Sequence, residues 1–347
     1  MGLDNKPLKI AHITPWAVKC GIYTYVRDLT MALAQEGVDN YIVRLPRFGD
    51  KSIEILQNVV DKVPKDVDLV HISHEYGLYQ MLEKPFYAML KQLGKPIVTT
   101  VHATGYRNDA VIAEGSDSVI VHNQFCADRF RGKSVIIPHG ASLAKCPDKF
   151  DCKKSFGIDH RIPVIGYLGF IAEQKGLEVL IAAMTKVPDA ALLICGGWHL
   201  GEGTQYIWDL KEKTLQALPS RCHWAGFIPD EQLSVAYGAF DILVYPSISA
   251  SESGGLLLGL SHSKAIISSD VPPFKEKEKL GALMTFKTQN PQDLADKIKL
   301  LLSNAEKREQ LEKNALNFCE SVSWHKIAQR HIDVYNKVLS SSVKQDL

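Results

Sequence analysis

Between residues 241 and 276 the chain reads DILVYPSISASESGGLLLGLSHSKAIISSDVPPFKE. An apolar strand-like run, residues 241–245, stops at Pro246. A loop of small residues follows, carrying one carboxylate, Glu252, and the glycine pair Gly254 and Gly255. The apolar run 256–258 then begins a helix. A strand, a glycine turn and a helix start together make an anion site. The first amides of the helix have no intrahelical partner, and its dipole leaves partial positive charge there. The backbone from Ser253 through Gly254 and Gly255 to Leu256 is therefore a candidate phosphate cradle, because glycine permits close approach. Glu252 beside it suggests a ligand with a phosphate end and a hydroxyl-rich end.

Other residues of chemical interest also follow strand-like runs. The segment GYLGFIAEQKG, residues 166–176, ends a strand at Gly169 and places Lys175 six residues on, at a helix start. A lysine there can neutralise a diphosphate. The run 190–195 ends in Gly196 and Gly197, which allows a ligand to come close. In AGFIP, residues 225–229, the backbone with Phe227 and Ile228 can frame a planar base. Near the N-terminus PWAVKCG precedes a helix; Gly21 offers a backbone amide to a phosphate or sugar, or is only a small residue at a helix start. It is not a dinucleotide fingerprint, since Gly-x-Gly-x-x-Gly is absent. His102 closes the run 98–101, where its imidazole can hold a sugar hydroxyl or position an acceptor. His71, His74 and Glu75 resemble metal ligands, yet they lack a supporting partner at suitable spacing and are read as structural. His139, in IPHG, is read as an interdomain turn residue.

The elements that must position these residues alternate along the chain. Strand-like runs at 8–14, 40–45, 67–73, 96–101, 117–122 and 134–138 are separated by helical patterns, for example 25–36 and 78–93. A polar stretch without clear periodicity, 142–160, interrupts them. The alternation resumes with strands at 162–169, 190–195, 221–225 and 240–245 and helices at 176–186, 204–218 and 230–238. Near-continuous apolar strands alternating with helices predict parallel sheets covered on both faces. At 347 residues, two such domains are expected. In open sheets of this kind ligands bind beyond the carboxyl ends of the strands, and two facing domains would place the site between them. The chain ends in helices; Ala328, Ile332, Tyr335 and Leu339 form an apolar stripe.

Composition narrows the function classes. The formal net charge of +1 gives no basis for nucleic-acid binding or attraction to an anionic membrane. No apolar run approaches the roughly 20 residues of a membrane span. The N-terminus shows no secretory leader, and the cytoplasm is the expected location. The seven cysteines include no Cys-x-x-Cys pair, which fits free thiols in a reducing compartment better than disulfides or zinc.

In their order, the segments KCGIYTYVRDL, TTVHATG, VIIPHGAS, GYLGFIAEQKGLEVLI, LLICGGWH, HWAGFIPDEQLSVAYGAFDILVYPS and the opening loop resemble a known family. They look like the GT-B fold, retaining, metal-independent glycosyltransferases of family 4, the glycosyl transferases group 1. The resemblance covers nearly the whole chain. It implies an α/β GT-B fold with two Rossmann-like, doubly wound parallel-sheet domains facing across a cleft. Residues 1–145 would receive the acceptor, 146–323 would hold a nucleotide-sugar donor, and the helix in 324–347 would cross back to the first domain. It implies hexosyl transfer with retention, a nucleoside diphosphate leaving group, and neither metal nor other cofactor. Lys175 and the amides of 253–256 would stabilise the diphosphate, while Glu252 and His102 would act on the sugar as catalytic residues. The acceptor would be a carbohydrate, a lipid-linked compound or a small molecule, and peripheral membrane contact stays open.

Two positions depart from the pattern. The family places an arginine after the glycine that ends the first strand of the second domain; here Phe170 stands there. The family also carries two glutamates separated by seven residues. Counted back from Lys264 they fall on Ala250 and Leu258; counted forward from Glu252 the second falls on Leu260. Either way the second carboxylate is missing, and Glu252 replaces the first only if the loop is shifted. A non-catalytic GT-B protein that binds a nucleotide sugar or glycan in a complex, a nucleotide-sugar epimerase and a phosphorylase remain open. A Rossmann dehydrogenase is disfavoured.

Overall fold

The computed structural model describes residues 6–18, 20–46, 51–105, 107–130, 132–197 and 204–343. Its contacts divide the chain into two units, residues 1–140 with 322–347, and residues 141–321. The first unit is therefore built from two separate stretches of chain.

Six parallel strands form the sheet of the first unit: β1 (Lys9–Thr14), β2 (Asp39–Arg44), β3 (Leu69–His74), β4 (Ile97–Val101), β5 (Ser118–Val121) and β6 (Ser134–Ile136), in the order β2-β1-β3-β4-β5-β6. Every residue of β3, β4 and β5 is buried, as a sheet covered on both faces requires. Helix Gly21–Gln35 turns Tyr25, Val26, Leu29 and Leu33 inward and is capped by Cys20, whose Sγ accepts from the Tyr23 amide. The final helix, Trp324–Val343, packs on that same helix. Its buried stripe is Ile327, Ala328, His331, Val334, Tyr335 and Val338. Ile332 and Leu339, expected in the stripe, lie only at its edges. The difference has a cause: a polar residue, His331, occupies the centre of the face and is hydrogen-bonded there.

The second unit repeats the design with β7 (Val164–Leu168), β8 (Ala191–Cys195), β9 (Cys222–Gly226), β10 (Ile242–Tyr245), β11 (Ile266–Ser269) and β12 (Met284–Phe286), ordered β12-β11-β10-β7-β8-β9. This is the doubly wound order in which the direction of winding reverses between the first and fourth strands, here β7 and β10. The stretch 142–160, read as aperiodic, contains the helix Lys149–Ser155. It is short and polar, and two of its lysines, Lys149 and Lys153, both reach Asp241 at 2.8 Å. The predicted helix at 78–93 is instead a 3-10 turn, Tyr76–Leu78, followed by helix Glu83–Lys91. Among the described residues, no helix is long and apolar enough to cross a membrane.

Candidate functional site

In the second unit the reversal between β7 and β10 brings two chemistry-bearing loops side by side. The Ile248 amide donates to the Gln174 carbonyl at 2.9 Å, tying the loop after β10 to the loop after β7. Gly176 has φ +66°, and a Cβ there would lie 2.3 Å from the Pro246 carbonyl oxygen, so the position requires glycine on both counts. The loop after β8 joins the same group: the Ile171 amide donates to Gly197 O at 3.0 Å, and the Gly196 amide to Gly226 O at 2.6 Å. Gly169, Phe170, Lys175, Gly197, Phe227 and the glycine pair thus belong to one set of neighbouring loops. Ile228 is buried, while Phe170 and Phe227 are 46% and 55% exposed. Trp198 and His199, in the quoted segment LLICGGWH, lie outside the described residues, as does Lys19 of KCGIYTYVRDL.

Gly196 holds this arrangement most tightly. Its φ is +151°, and an added Cβ would sit 1.9 Å from the Gly169 carbonyl oxygen. Gly196→Ala is expected to lower stability by at least about 2 kcal/mol, combining backbone strain with overpacking. Urea unfolding followed by intrinsic fluorescence checks this; a wild-type midpoint would show that the Gly169 loop yields freely.

Helix Gly254–Ser261 begins in the loop after β10. Ser253 caps it, its hydroxyl accepting from the Leu256 amide at 3.3 Å, and the Gly255 carbonyl is held by the Tyr245 hydroxyl at 2.5 Å. The Ser253 amide donates to Glu252 Oε1 at 2.8 Å. Of the four amides expected to face a phosphate, two are therefore occupied, and those of Gly254 and Gly255 have no partner among the described residues. Lys175 is half-buried and its ammonium likewise has no partner among the described residues; burial pulls its pKa down.

Glu252 differs from the sequence expectation. Neither a solvated loop carboxylate nor one left open to a sugar, it forms an ion pair with Lys277, both oxygens lying within 2.9 Å of Nζ. The side chains are 8% and 7% exposed. Lys277 lies on helix Pro272–Lys279, and the sequence reading did not single it out. The available signal was its spacing of three residues from buried Phe274, which puts both on one helix face. On the register question, Leu260 is fully buried in the core, whereas Leu258 is exposed.

In the first unit, His102 follows β4. Its amide donates to the His74 carbonyl at 3.0 Å, and its ring lies edge-on to Tyr25 at 4.9 Å. Tyr25 is also packed against His122, His139, Trp324 and His331. His139, expected as an interdomain turn, is part of this aromatic cluster, and its Nδ1 pairs with Gly140 O at 2.7 Å. His71 is held by the Tyr335 hydroxyl at 2.7 Å and by Thr100 at 2.8 Å. His74 is stacked on Tyr79 and lies 3.5 Å from Glu83. The two histidines therefore serve different networks. Among the described residues, no group of three or more metal-ligating side chains could hold a metal ion. Gly21 is the first residue of its helix; an added Cβ would meet nothing within 4 Å, so packing does not explain the glycine.

The buried histidines make this unit sensitive to acid. Burial lowers the pKa of His12 from 6.5 to about 4 and that of His331 to about 3, and it depresses His71 well below the ordinary value. The unfolded chain then binds more protons than the folded one below about pH 6.5, so stability falls as pH falls through that window. The contribution is on the order of 3 kcal/mol for His12 alone. Denaturant titrations at pH 7.5, 6 and 5 should show a steady loss, and a flat profile down to pH 5 would refute it.

Residues 148–318 match the family of glycosyl transferases group 1. This part of the chain belongs to that family. The group 1 match lies wholly within the second unit. Over 194 residues the chain is 26% identical to an uncharacterised glycosyltransferase of Methanocaldococcus jannaschii, covering 54% of this chain and 48% of that relative, so it spans about half of the relative's length. The fold is GT-B. It matches sucrose-phosphate synthase from Thermosynechococcus elongatus with a TM-score of 0.77 at 20% identity, over 96% of this chain and 100% of the other. It also matches Anabaena HepE, solved with UDP and glucose, with a TM-score of 0.78 at 16% identity, over 95% and 99%.

Proposed function

We propose that the protein is a glycosyltransferase that moves a sugar from a nucleotide-diphosphate donor to an acceptor hydroxyl with retention of anomeric configuration. The observation that carries this reading is the desolvated Lys175 on the loop after β7, together with the Gly254 and Gly255 amides on the neighbouring loop after β10, none of which has a partner among the described residues. An ammonium and two helix-start amides, at the winding reversal of a doubly wound sheet, suit a diphosphate. The family match of the same unit supports it, as does the UDP held by the similarly folded HepE.

In this reading the bond from the anomeric carbon to the diphosphate oxygen breaks and a bond to the acceptor oxygen forms on the same face. The acceptor proton passes to the departing phosphate oxygen. Lys175 and the two amides stabilise the charge that develops there, the kind of interaction that usually dominates such catalysis. Phe227 and Ile228 border the base, and His102 binds a hydroxyl. Glu252 fixes the start of the helix through its bond to the Ser253 amide. The first unit takes the acceptor.

A thermal-shift screen of UDP-, GDP- and ADP-sugars tests donor binding, since a ligand bound only to the folded state raises its stability. Turnover of the stabilising donor, followed by NMR of the product anomer, is expected to persist in excess chelator. Activity lost on chelation and restored by manganese or magnesium would contradict the mechanism. Absence of stabilisation by any of the three donor classes would contradict the function.

A further inference from the structure

β4 and β5 are adjacent and in register, with Thr100 opposite Ile120. The residues just beyond them, His102 and His122, bring their rings together, with His102 Nδ1 3.3 Å from His122 Nε2. His122 Nδ1 lies 3.0 Å from the Ile137 carbonyl oxygen. A carbonyl only accepts, so His122 Nδ1 carries the proton. His122 is 5% exposed, and a neutral imidazole has one N–H. Its Nε2 is then a lone pair, and His102 Nδ1 must donate to it. His102 is kept neutral, chiefly by burial, which leaves its Nε2 as a second lone pair. That Nε2 is buried and has no hydrogen-bond partner among the described residues.

We propose that His122 is a positioning residue, which selects the His102 tautomer presenting a bare Nε2 and so makes this point of the site accept an O–H donor. The second nitrogen of a histidine is set by the bond that the first one makes. A sugar or acceptor hydroxyl satisfies a lone pair at Nε2; a phosphate or carboxylate oxygen is repelled by it. The inference rests on the reading that His102 contacts substrate, but the tautomer itself does not depend on that reading.

The test is a long-range nitrogen–proton correlation spectrum of the full chain with labelled histidine at pH 7.5, where His102→Gln assigns the His102 signals. A protonated Nδ1 and an unprotonated Nε2 are expected for His102. The opposite tautomer in the unsubstituted protein would overturn the proposal while leaving the transfer reading intact. In His122→Phe, which offers no acceptor, His102 should change to the Nε2–H form. The transfer kcat should then fall at least about tenfold with nucleotide affinity nearly unchanged. His122→Gln can donate to Ile137 and accept from His102, and should restore both tautomer and rate. If His122→Phe does not fold, the wild-type spectrum and the glutamine variant still decide. Unchanged tautomer and rate in a folded His122→Phe, or a glutamine variant as impaired as that phenylalanine variant, would end the proposal. If the tautomers behave as stated but no sugar is transferred by the unsubstituted protein, the function fails and the His122–His102 geometry stands.

Discussion

Lys175→Ala will fold as the parent does and lose most of its transfer activity. Its ammonium is half-buried, has no partner among the described residues, and is desolvated enough to lower its pKa. Such a charge contributes little to stability while the site is empty, so the melting temperature should match or exceed that of the parent. With Phe170 where the family places an arginine, Lys175 is the side-chain cation that the proposal assigns to the leaving diphosphate. Losing it in a water-poor site should cost about 2–4 kcal/mol of transition-state stabilisation, roughly 30- to 1000-fold in kcat. The stabilisation of the protein by nucleotide should shrink with it. A variant that transfers at the parental rate would show that the diphosphate is held elsewhere.

Glu252→Gln should unsettle the fold before it reveals anything about sugar binding. It leaves the buried Lys277 ammonium, 7% exposed, without its counter-charge. Breaking one side of a buried pair costs about 3–5 kcal/mol, with glutamine near the low end because its amide oxygen still accepts a bond. In a unit of this size that corresponds to a fall in melting temperature of about 6–12 °C. Replacing both partners, as Glu252→Gln with Lys277→Met, removes the stranded charge and should recover most of the loss. Calorimetry on the single and double variants checks this. A single variant that keeps parental stability yet loses transfer would return Glu252 to the role of sugar-facing carboxylate.

The sheets were legible because their strands are short continuous apolar runs bounded by glycine, proline or charge, a local signal. The loops that carry Gly169, Lys175, Gly197 and Gly254 could be found for the same reason, since each follows a strand. What stayed hidden was held by distant partners. His71 pairs with Tyr335, 264 positions away, and Tyr25 with His331, 306 away. No periodicity within a window of the chain reports such pairs. The helix Lys149–Ser155 escaped because its partners are distant in sequence: its lysines reach Asp241, and Cys152 is buried beside Gly238. Lys277 escaped because KEKEK reads as a solvated surface run, although the second of its three lysines turns inward to Glu252.

The first unit draws on residues 1–140 and on 322–347, and this bears on how the chain is made. Synthesis runs from the N-terminal side, so Tyr25 and His71 emerge well before the His331 and Tyr335 that bond them. The intervening unit, residues 141–321, is contiguous and can complete its own sheet first. A nascent chain therefore passes through a stage in which helix Gly21–Gln35 has an exposed face, waiting for helix Trp324–Val343 to leave the ribosome. Damage to that helix, by proteolysis or premature termination, would act on a part of the molecule made about 300 residues before it.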